Sequence, residues 1–313
     1  MFKALLIGCG NIGALYDFDN TQILTHAKGY ALHPAFELTV FDINKELETQ
    51  VANRYKARTL KAPIQQVISH FDCVSICSPT DTHSSFLKEA MKAKIPVIIC
   101  EKPISNKSEE LESLEESYFQ HHSKIIINYI RRFQPIYAEL KSTINLILTK
   151  EKLTNISVRY QRGFINNASH AFDLIQYLFD KPIFLTGKHV THSVNDHFLN
   201  DPTLSLTGMW GTTNFIVHGL VNIQFSHFEI DLYFSSQKIM ITDAGRTIIR
   251  MEAPVIGSFL QAQIQKESHY NCLNNYMENV ISYAAGLLDG TNTKDNFLDS
   301  VKLNQQMLTF IQN

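Results

Sequence analysis

A chain of 313 residues, 44% hydrophobic and 19% charged, suits two domains of ordinary size and has the composition of a globular protein. Its 28 Lys and Arg are balanced by 30 Asp and Glu, which argues against a nucleic-acid partner because proteins that neutralise many phosphates carry a basic excess. The sequence has no apolar run near the roughly 18 residues that a membrane-spanning helix needs, so no membrane partner is expected.

The first third of the chain alternates between short apolar runs and stretches with helical spacing. The runs predict strands at 4–8, 37–42, 73–78, 96–100 and 124–129, and the stretches at 84–94 and 108–121 predict helices. Strands that alternate with helices indicate βαβ units and a doubly wound parallel sheet.

After about residue 150 the pattern changes. It predicts a strand at 153–163, a helix at 169–179, strands over 184–250, and helices at 271–288 and 294–311. Strands gathered in one region, with helices around them, indicate an α+β domain built on a large, mainly antiparallel sheet. The predicted fold is therefore α/β at the N-terminus and α+β at the C-terminus.

The sequence Gly8-Cys9-Gly10-Asn11-Ile12-Gly13 follows the first predicted strand. In a dinucleotide-binding loop of this pattern, Gly8 permits the tight turn, Gly10 lets the backbone approach the pyrophosphate, and Gly13 lets helix pack on strand. The phosphates are then expected at the amides that open the helix. The motif predicts NAD(P) binding, since both the strand and the helix stand where the mechanism requires them.

The acidic partner of this loop is Asp42, at the end of the second strand, where it is expected to hydrogen-bond the ribose hydroxyls. Gly13 and Asp42 are 29 positions apart, against the usual interval of about 20. Segment 16–24 breaks the helical pattern and accounts for the excess as an insert. A carboxylate repels a 2′-phosphate, and Ile43 and Asn44 supply no compensating cation, so NAD is preferred over NADP.

Four further motifs follow in a fixed order. They are Ser78-Pro79-Thr80 with His83, Glu101-Lys102-Pro103, Arg131-Arg132-Phe133-x-Pro135, and Ser169-His170-Ala171-Phe172-Asp173-Leu174. Lys102 lies beyond the carboxyl end of a strand, where doubly wound sheets bind their ligands. With the glycine loop, these motifs resemble the Gfo/Idh/MocA family of oxidoreductases from residue 2 to about 180.

The resemblance implies an NAD-binding Rossmann domain at 1–125 and a substrate-binding, oligomerising α+β domain at 126–313. It implies a dehydrogenase or reductase of sugars, cyclitols or sugar-derived compounds, with Lys102 and His170 as catalytic residues and a cis peptide at Pro103. The implied cofactor-binding residues are Gly8, Gly10, Asn11, Ile12, Gly13, Asp42, Ser78, Pro79, Thr80, His83, Glu101 and Lys102. The implied partners are a sugar-like small molecule and further copies of the chain, which join through the C-terminal sheet as a homodimer or homotetramer.

The substrate side departs from the family pattern at one position. Many catalytic members have Asp four residues before the histidine, whereas this chain has Asn166, which cannot take a proton. Asp173 either orients His170 from the same helix face or lies on a solvated face. Arg132 either binds substrate or forms a structural ion pair, and His26 either approaches the nicotinamide or lies at the surface.

Two other functions remain open from the sequence: a glycosidase that uses tightly held NAD, and a non-catalytic NAD-binding regulator. The five cysteines, mostly in apolar segments, are expected to be reduced thiols of a cytosolic protein. The N-terminus leads straight into a strand with no leader pattern, so a cytoplasmic location is expected. No metal is expected, because His189, His192 and His197 lack carboxylates at ligand spacing.

Overall fold

The computed structural model describes residues 1–253, 255–256, 259–260 and 264–311. The chain divides into two compact units: the first consists of residues 1–133 and 274–308, and the second of residues 134–273 and the chain from 309 onward. Within the described ranges no helix has the length and apolar character needed to cross a membrane.

The first unit contains a sheet of parallel strands. These are β1 Phe2–Ile7, β2 Phe36–Phe41, β3 Arg58–Thr59, β4 Cys73–Ile76, β5 Val97–Cys100 and β6 Lys124–Ile127. Their order is β3-β2-β1-β4-β5-β6, so the chain changes direction across the sheet between β1 and β4. Doubly wound sheets bind ligands beyond the carboxyl ends of the strands at such a reversal, and this edge carries the candidate site.

The helices surround these strands and those of the second unit. In chain order they are α1 His26–Leu32, α2 Lys45–Tyr55, α3 Ile64–Val67, α4 Thr80–Lys92, α5 Ser108–Gln120, α6 Pro135–Leu148, α7 Ser169–Phe179, α8 Tyr276–Asp289 and α9 Phe297–Ile311. Helices α1, α2, α4 and α8 contact strands of the parallel sheet. Because both faces are covered, β4 and β5 are buried at every position, as the continuous apolar runs predicted.

Helix α4 begins four residues before the predicted residue 84. Pro79, the residue before it, has φ −57°, which is the value that its ring fixes and that a helix entry requires. The Thr82 hydroxyl donates to the Pro79 carbonyl at 2.7 Å. Thr80 and His83 therefore lie in the first turn of a helix rather than in a loop.

The second unit is built on an eight-stranded sheet of order β16-β13-β12-β11-β7-β10-β9-β8. Its strands are β7 Leu153–Tyr160, β8 Leu185–Phe198, β9 Asp201–Trp210, β10 Thr213–Gly219, β11 Phe228–Phe234, β12 Gln237–Thr242, β13 Thr247–Glu252 and β16 Ile264–His269, while β14 Val255–Ile256 and β15 Phe259–Leu260 pair separately. Only β7 and β10 pair in parallel within this eight-stranded sheet as described. The predicted fold class is confirmed in both units.

One face of this large sheet is covered by α7. Phe172 of α7 packs against Phe215 of β10 and against Phe164, with ring centroids 5.4 and 5.6 Å apart. Along β10 the buried residues alternate with the exposed Asn214, Ile216 and His218. The alternation leaves the opposite face of the strand open within this chain.

The structure divides the chain differently from the boundary expected near residue 125. Residues 274–308, which the sequence placed in the second domain, belong to the first unit. Met277 and Ile281 of α8 lie in the same buried cluster as Tyr30 of α1. The cause is a packing contact between segments about 250 residues apart, which no local pattern reveals.

Candidate cofactor and active site

The three motif glycines have different surroundings. A Cβ on Gly8, which has φ +95°, would lie 2.7 Å from the backbone of Cys77, and one on Gly13 would lie 2.1 Å from the Gly8 carbonyl oxygen. Gly10 differs, since among the described residues no heavy atom would come within 4 Å of its Cβ. Gly8 and Gly13 are thus required by packing, whereas Gly10 faces the open space that a pyrophosphate would fill.

The helix that this motif was expected to open is a single turn, Asn11–Leu15. Two of its amides donate to the carbonyl five residues earlier instead of four. Leu15 donates to the Gly10 carbonyl at 3.2 Å, and Tyr16 donates to the Asn11 carbonyl at 3.0 Å. One turn sums few peptide dipoles, so backbone amides rather than a long helix would hold the phosphates. Burial, reinforced by Asp42, raises the pKa of the neighbouring Cys9 thiol to about 12, which keeps that group neutral.

Asp42 is bonded to the glycine loop. One carboxylate oxygen accepts the Cys9 amide at 2.7 Å, and the other accepts the Asn44 amide at 2.8 Å. The side chain is half-buried, so the two bonds fix its orientation while each oxygen keeps a lone pair for a ribose hydroxyl. The geometry fits the adenosine ribose of NAD.

The insert 16–24 is closed by a carboxylate that the sequence analysis did not single out. Asp17 is 0% exposed and accepts the Leu24 and Thr25 amides at 2.5 and 2.9 Å. It also accepts the Thr25 hydroxyl at 2.7 Å and the Tyr55 hydroxyl at 3.3 Å. The insert is therefore an ordered loop, which returns the chain to α1 directly beside the glycine motif.

Ser78 and Pro79 lie in the loop after β4, and Thr80 is the first residue of α4. None of the three is buried. His83 is different: it is 1% exposed, and its ring nitrogens lie 2.8 Å from the Ser78 carbonyl and 2.9 Å from the Pro103 carbonyl. The expectation that His83 lines the cofactor cleft is therefore corrected. Its buried ring links the loops after β4 and β5 through hydrogen bonds to one backbone carbonyl of each loop.

The loop after β5 presents Lys102. The Lys102–Pro103 peptide bond is cis, which confirms the expectation at Pro103. Lys102 is half-buried, and the backbone that follows is fastened by Asn304 of α9, whose Oδ1 accepts the Ile104 and Ser105 amides at 2.9 and 3.2 Å. A residue near the C-terminus thus fixes the loop that carries Lys102.

Glu101, directly before Lys102, belongs to a buried polar cluster. Its Oε1 lies 3.0 Å from His26 Nε2 and accepts the Asn128 amide nitrogen at 2.6 Å. His26 is 0% exposed, so the alternative that placed it at the surface is wrong, whereas its approach to the nicotinamide stays a prediction. The Asn128 Oδ1 is buried and has no hydrogen-bond partner within the described structure, leaving an acceptor at the end of β6, where the cofactor crevice is expected.

Arg132, which the sequence analysis proposed either as a substrate-binding residue or as part of an ion pair, lies in the short turn Ile130–Phe133 after β6. It is half-buried, whereas Arg131 before it is buried. The aromatic ring of Phe133 packs on Tyr283 of α8 at 5.2 Å, which anchors the turn.

In the second unit, α7 carries His170 and Asp173 one turn apart. His170 is half-buried, while Asp173 is 1% exposed, so the reading of Asp173 as a solvated surface carboxylate is wrong. A buried carboxylate requires a hydrogen-bonding or charged partner. Asn166, in the turn Phe164–Ala168 that leads into α7, is half-buried.

Asp201 fixes the turn that carries Asn166. Its two carboxylate oxygens accept the amides of Ile165 and Asn166 at 2.7 and 2.9 Å. Gly163, with φ +83°, makes this approach possible, since a Cβ there would lie 2.2 Å from the Asp201 carboxylate. The sequence analysis did not single out Asp201.

Asp17, Asn128, Asp201 and Asn304 are thus the residues that sequence reasoning missed around the predicted site. Asp17 and Asp201 are acidic residues inside turn-rich segments, which is a weak signal for a buried anchor. Asn128 and Asn304 have no local signal at all. Among the residues that the structure describes, no group of His, Cys, Asp and Glu side chains is arranged to hold a metal ion.

The N-terminal part of the chain is similar to known oxidoreductases. Residues 2–129 match the model of the Gfo/Idh/MocA oxidoreductase family, described as an NAD-binding Rossmann fold. Over this segment the chain is similar to the NAD-binding domain of the Gfo/Idh/MocA family. This match confirms the resemblance over residues 2–129 and the expectation of an NAD-binding domain, and the matched segment contains the glycine loop, Asp42 and Lys102.

The chain is 25% identical to the uncharacterized oxidoreductase YrbE of Bacillus subtilis (strain 168) over 188 residues, which are 55% of the chain and 52% of YrbE. It is 22% identical to inositol 2-dehydrogenase of Acidothermus cellulolyticus over 268 residues, 80% of the chain and 73% of the relative. The chain thus spans about half the length of YrbE. A crystal structure of UDP-N-acetylglucosamine 3-dehydrogenase GnnA from Acidithiobacillus ferrooxidans superposes with TM-score 0.74 at 16% identity, covering 99% of this chain and 95% of GnnA, which shows a shared fold.

Proposed function

We propose that this protein is an NAD(H)-dependent oxidoreductase that transfers hydride between nicotinamide and a carbinol or carbonyl carbon of a sugar, cyclitol or sugar-derived compound. The observation that carries the proposal is the glycine loop bonded to Asp42, with open space at Gly10. The substrate class is supported by two similar proteins, which are named as an inositol 2-dehydrogenase and a UDP-N-acetylglucosamine 3-dehydrogenase.

Oxidation of a carbinol removes a hydride from carbon and a proton from oxygen. Bound NAD supplies the hydride acceptor. Lys102 and His170 handle the proton: the lysine hydrogen-bonds the substrate oxygen, and the imidazole exchanges the proton as general acid or base. Reduction of a ketone runs the same transfers backwards.

Asn166, Asp173 and Arg132 are proposed to bind and orient the substrate side. Asn166 offers an amide to a hydroxyl and cannot serve as the acid partner of His170. The burial of Asp173, three residues after His170 on α7, favours it as the carboxylate that orients the imidazole. The cofactor is proposed to contact Ser78, Pro79, Thr80 and Glu101 at the crevice edge, together with Asn11 and Ile12 of the glycine loop.

We also propose that the protein acts as a homodimer or homotetramer in the cytoplasm. The open face of β10 supports assembly through the large sheet, because a sheet face that carries Ile216 gains by being covered. The five cysteines, all unpaired and four of them buried, are typical of a reducing compartment. Size-exclusion chromatography with light scattering measures the molar mass of the assembly and so the number of its subunits.

The decisive experiment is a fluorescence titration with NADH and NADPH, followed by a screen of cyclitols, sugars and nucleotide sugars for change in the reduced-nicotinamide absorbance. We expect tighter binding of NADH and turnover of at least one polyol or keto-sugar. Lys102→Ala and His170→Ala should each lower kcat by about 100-fold or more. Lys107→Ala and His192→Ala, exposed residues of the same types, are the matched controls and should leave kcat unchanged.

The outcomes separate the alternatives. Net production of NADH with a polyol supports the dehydrogenase, whereas hydrolysis of a glycoside without net NADH would replace it with the NAD-using glycosidase. Tight NADH binding with no turnover of any compound would favour a non-catalytic regulator. Failure to bind either dinucleotide would contradict the proposal as a whole.

A further inference from the structure

A polar groove of about 350 Å³ lies at the end of the large sheet where the parallel strands β7 and β10 finish. Its walls are the residues that follow β7, the end of β8, and the segment 220–227 between β10 and β11. All of them belong to the second unit. The polar side chains that line the groove are Gln161, Arg162, Asp196, His197, Asn222 and Gln224.

Hydrogen bonds fix both walls of the groove to the end of β7. Gln161 is 4% exposed, and its Nε2 donates to the Phe225 carbonyl at 2.5 Å. On the other side the Thr203 hydroxyl donates to Asp196 Oδ1 at 2.8 Å and accepts the Gly163 amide at 2.9 Å. The protein's own bonds thus set the width of the groove, and small-molecule sites are usually preformed in this way.

Arg162 is held at the groove by an unusual backbone conformation. Its φ is +62°, in the left-handed region that a residue other than glycine adopts only where its surroundings impose it. The Asn167 side-chain nitrogen imposes it here by donating to the Gln161 and Arg162 carbonyls at 2.9 and 2.6 Å. The Arg162 side chain is exposed and forms no ion pair with any residue that the structure describes. Backbone strain of this kind is concentrated at ligand sites.

The charges in the groove argue against an anionic ligand. A guanidinium suits a carboxylate or a phosphate, but the Asp196 carboxylate lines the same groove and would repel either one. The formal charges of Arg162 and Asp196 cancel. A ligand with no net charge therefore fits the groove better than a phosphorylated one.

The remaining groups suit hydroxyls. The Asn222 and Gln224 amides each offer donors and an acceptor, the carboxylate only accepts, and the guanidinium only donates. A hydroxyl group does both, so a compound with several hydroxyls can use this mixed set. Leu220 and Ile223, both half-buried, add apolar surface against which the C–H face of a ring can pack.

We propose that this groove is a binding site for a neutral ring with several hydroxyl groups, such as a sugar or cyclitol unit. The ring is either the distal unit of a two-ring substrate or a separate ligand. Asn167, which holds Arg162 in place, directly follows Asn166, so the groove and the proposed substrate-binding turn share one backbone segment. Only the assignment to a distal substrate unit rests on the proposed function.

The test follows the reaction of Arg162 with phenylglyoxal, which modifies exposed guanidinium groups, by peptide mass spectrometry after treatment of the full chain. The neutral probes are myo-inositol, glucose, galactose, mannose, maltose and cellobiose, and glucose 6-phosphate is the charged match of glucose. At least one neutral probe should slow the modification about fivefold or more, because a ligand site covers most of its ligand's surface. Arg246, exposed in the same unit, is the internal control and should react at an unchanged rate.

Asp196→Asn keeps an oxygen for Thr203 but removes the charge, so it should let glucose 6-phosphate protect Arg162. Asp180→Asn removes an exposed carboxylate of the same unit outside the groove and is the matched control, with no expected change. The inference is wrong if no neutral probe protects Arg162 in the parent protein, or if glucose 6-phosphate protects it as well as glucose does.

The two origins of the ring give different results. A two-ring probe that protects Arg162 and is also oxidised with NAD identifies the ring as the distal unit of a substrate, whereas a protecting probe that is not oxidised identifies a separate ligand. Turnover of a polyol without protection by any neutral probe refutes this inference alone. Protection in a protein that turns over no compound refutes only the proposed function.

Discussion

Replacing the motif glycines one at a time separates the binding role of the loop from its structural role. Gly10 has φ −70° and ψ −159°, a conformation open to alanine, and the space at its Cβ is clear. Gly10→Ala should therefore fold with a stability within about 1 kcal/mol of the parent, since a compatible Gly→Ala change mainly restricts the unfolded chain. Its methyl group would occupy the position that the pyrophosphate needs.

Gly13→Ala gives the opposite result. The new methyl group would lie 2.1 Å from the Gly8 carbonyl oxygen, a contact that only backbone movement relieves. Overpacking of this kind costs about 1–3 kcal/mol, which for a chain of this size corresponds to a drop in Tm of several degrees. NADH binding should weaken with it, because the loop itself has moved.

The assay pairs thermal unfolding of each variant without ligand with an NADH fluorescence titration at 25 °C. Gly10→Ala is expected to keep the parent Tm within about 3 °C and to weaken NADH binding by at least 10-fold, which is about 1.4 kcal/mol of binding free energy. If Gly10→Ala binds NADH as tightly as the parent, the pyrophosphate does not pass over Gly10 and the reasoning is refuted. A normal Tm for Gly13→Ala would refute the packing argument.

Three further results are expected. Asp17→Ala should lower the free energy of unfolding by about 2–4 kcal/mol, because several donors of the insert lose a buried charged acceptor. Urea unfolding measures this loss, and Asp19→Ala, at an exposed position in the same insert, is the control. Asp201→Ala should lower kcat by 10-fold or more and leave the NADH Kd unchanged, because it frees the turn that carries Asn166; equal losses of both would contradict a role confined to the second unit. The pKa of Glu229 is lowered because bonds from Arg159 and Thr242 outweigh burial, so its stabilisation is present above its ordinary pKa of 4.5 and is lost as the pH falls through the depressed value. Urea unfolding should therefore show Glu229→Gln less stable than the parent at pH 7, with the difference shrinking as the pH is lowered below 4.5.

Sequence motifs and local periodicity were sufficient to predict the residues at the cofactor-binding edge of the parallel sheet. The glycine loop, Asp42 and the cis peptide at Pro103 stand where the motif and the resemblance placed them. Helix α7 matches its predicted bounds at both ends, because its apolar residues repeat at helical spacing over a continuous stretch. These features depend on residues close together in the chain or on a pattern shared by many proteins.

Features that depend on distant residues were not predictable. His83 was expected to line the cleft, yet it joins two backbone loops, since hydrogen bonds between loops leave no trace in spacing. The buried partners of His26 come from three other elements of the sheet. Periodicity identified α8 and α9 as helices but could not say which sheet they would cover.

The contribution of residues 274–308 to the first unit has a consequence for how the protein is made. During synthesis the strands of the parallel sheet emerge well before Asn304, which fastens the backbone after Pro103 and lies 200 residues further along the chain than Ile104. The intervening 140 residues of the second unit can fold as a body of their own while the first remains incomplete. The first unit is therefore completed only after the second has been synthesised, and a chain released before residue 274 would carry every recognised nucleotide-binding motif without a finished domain to support them.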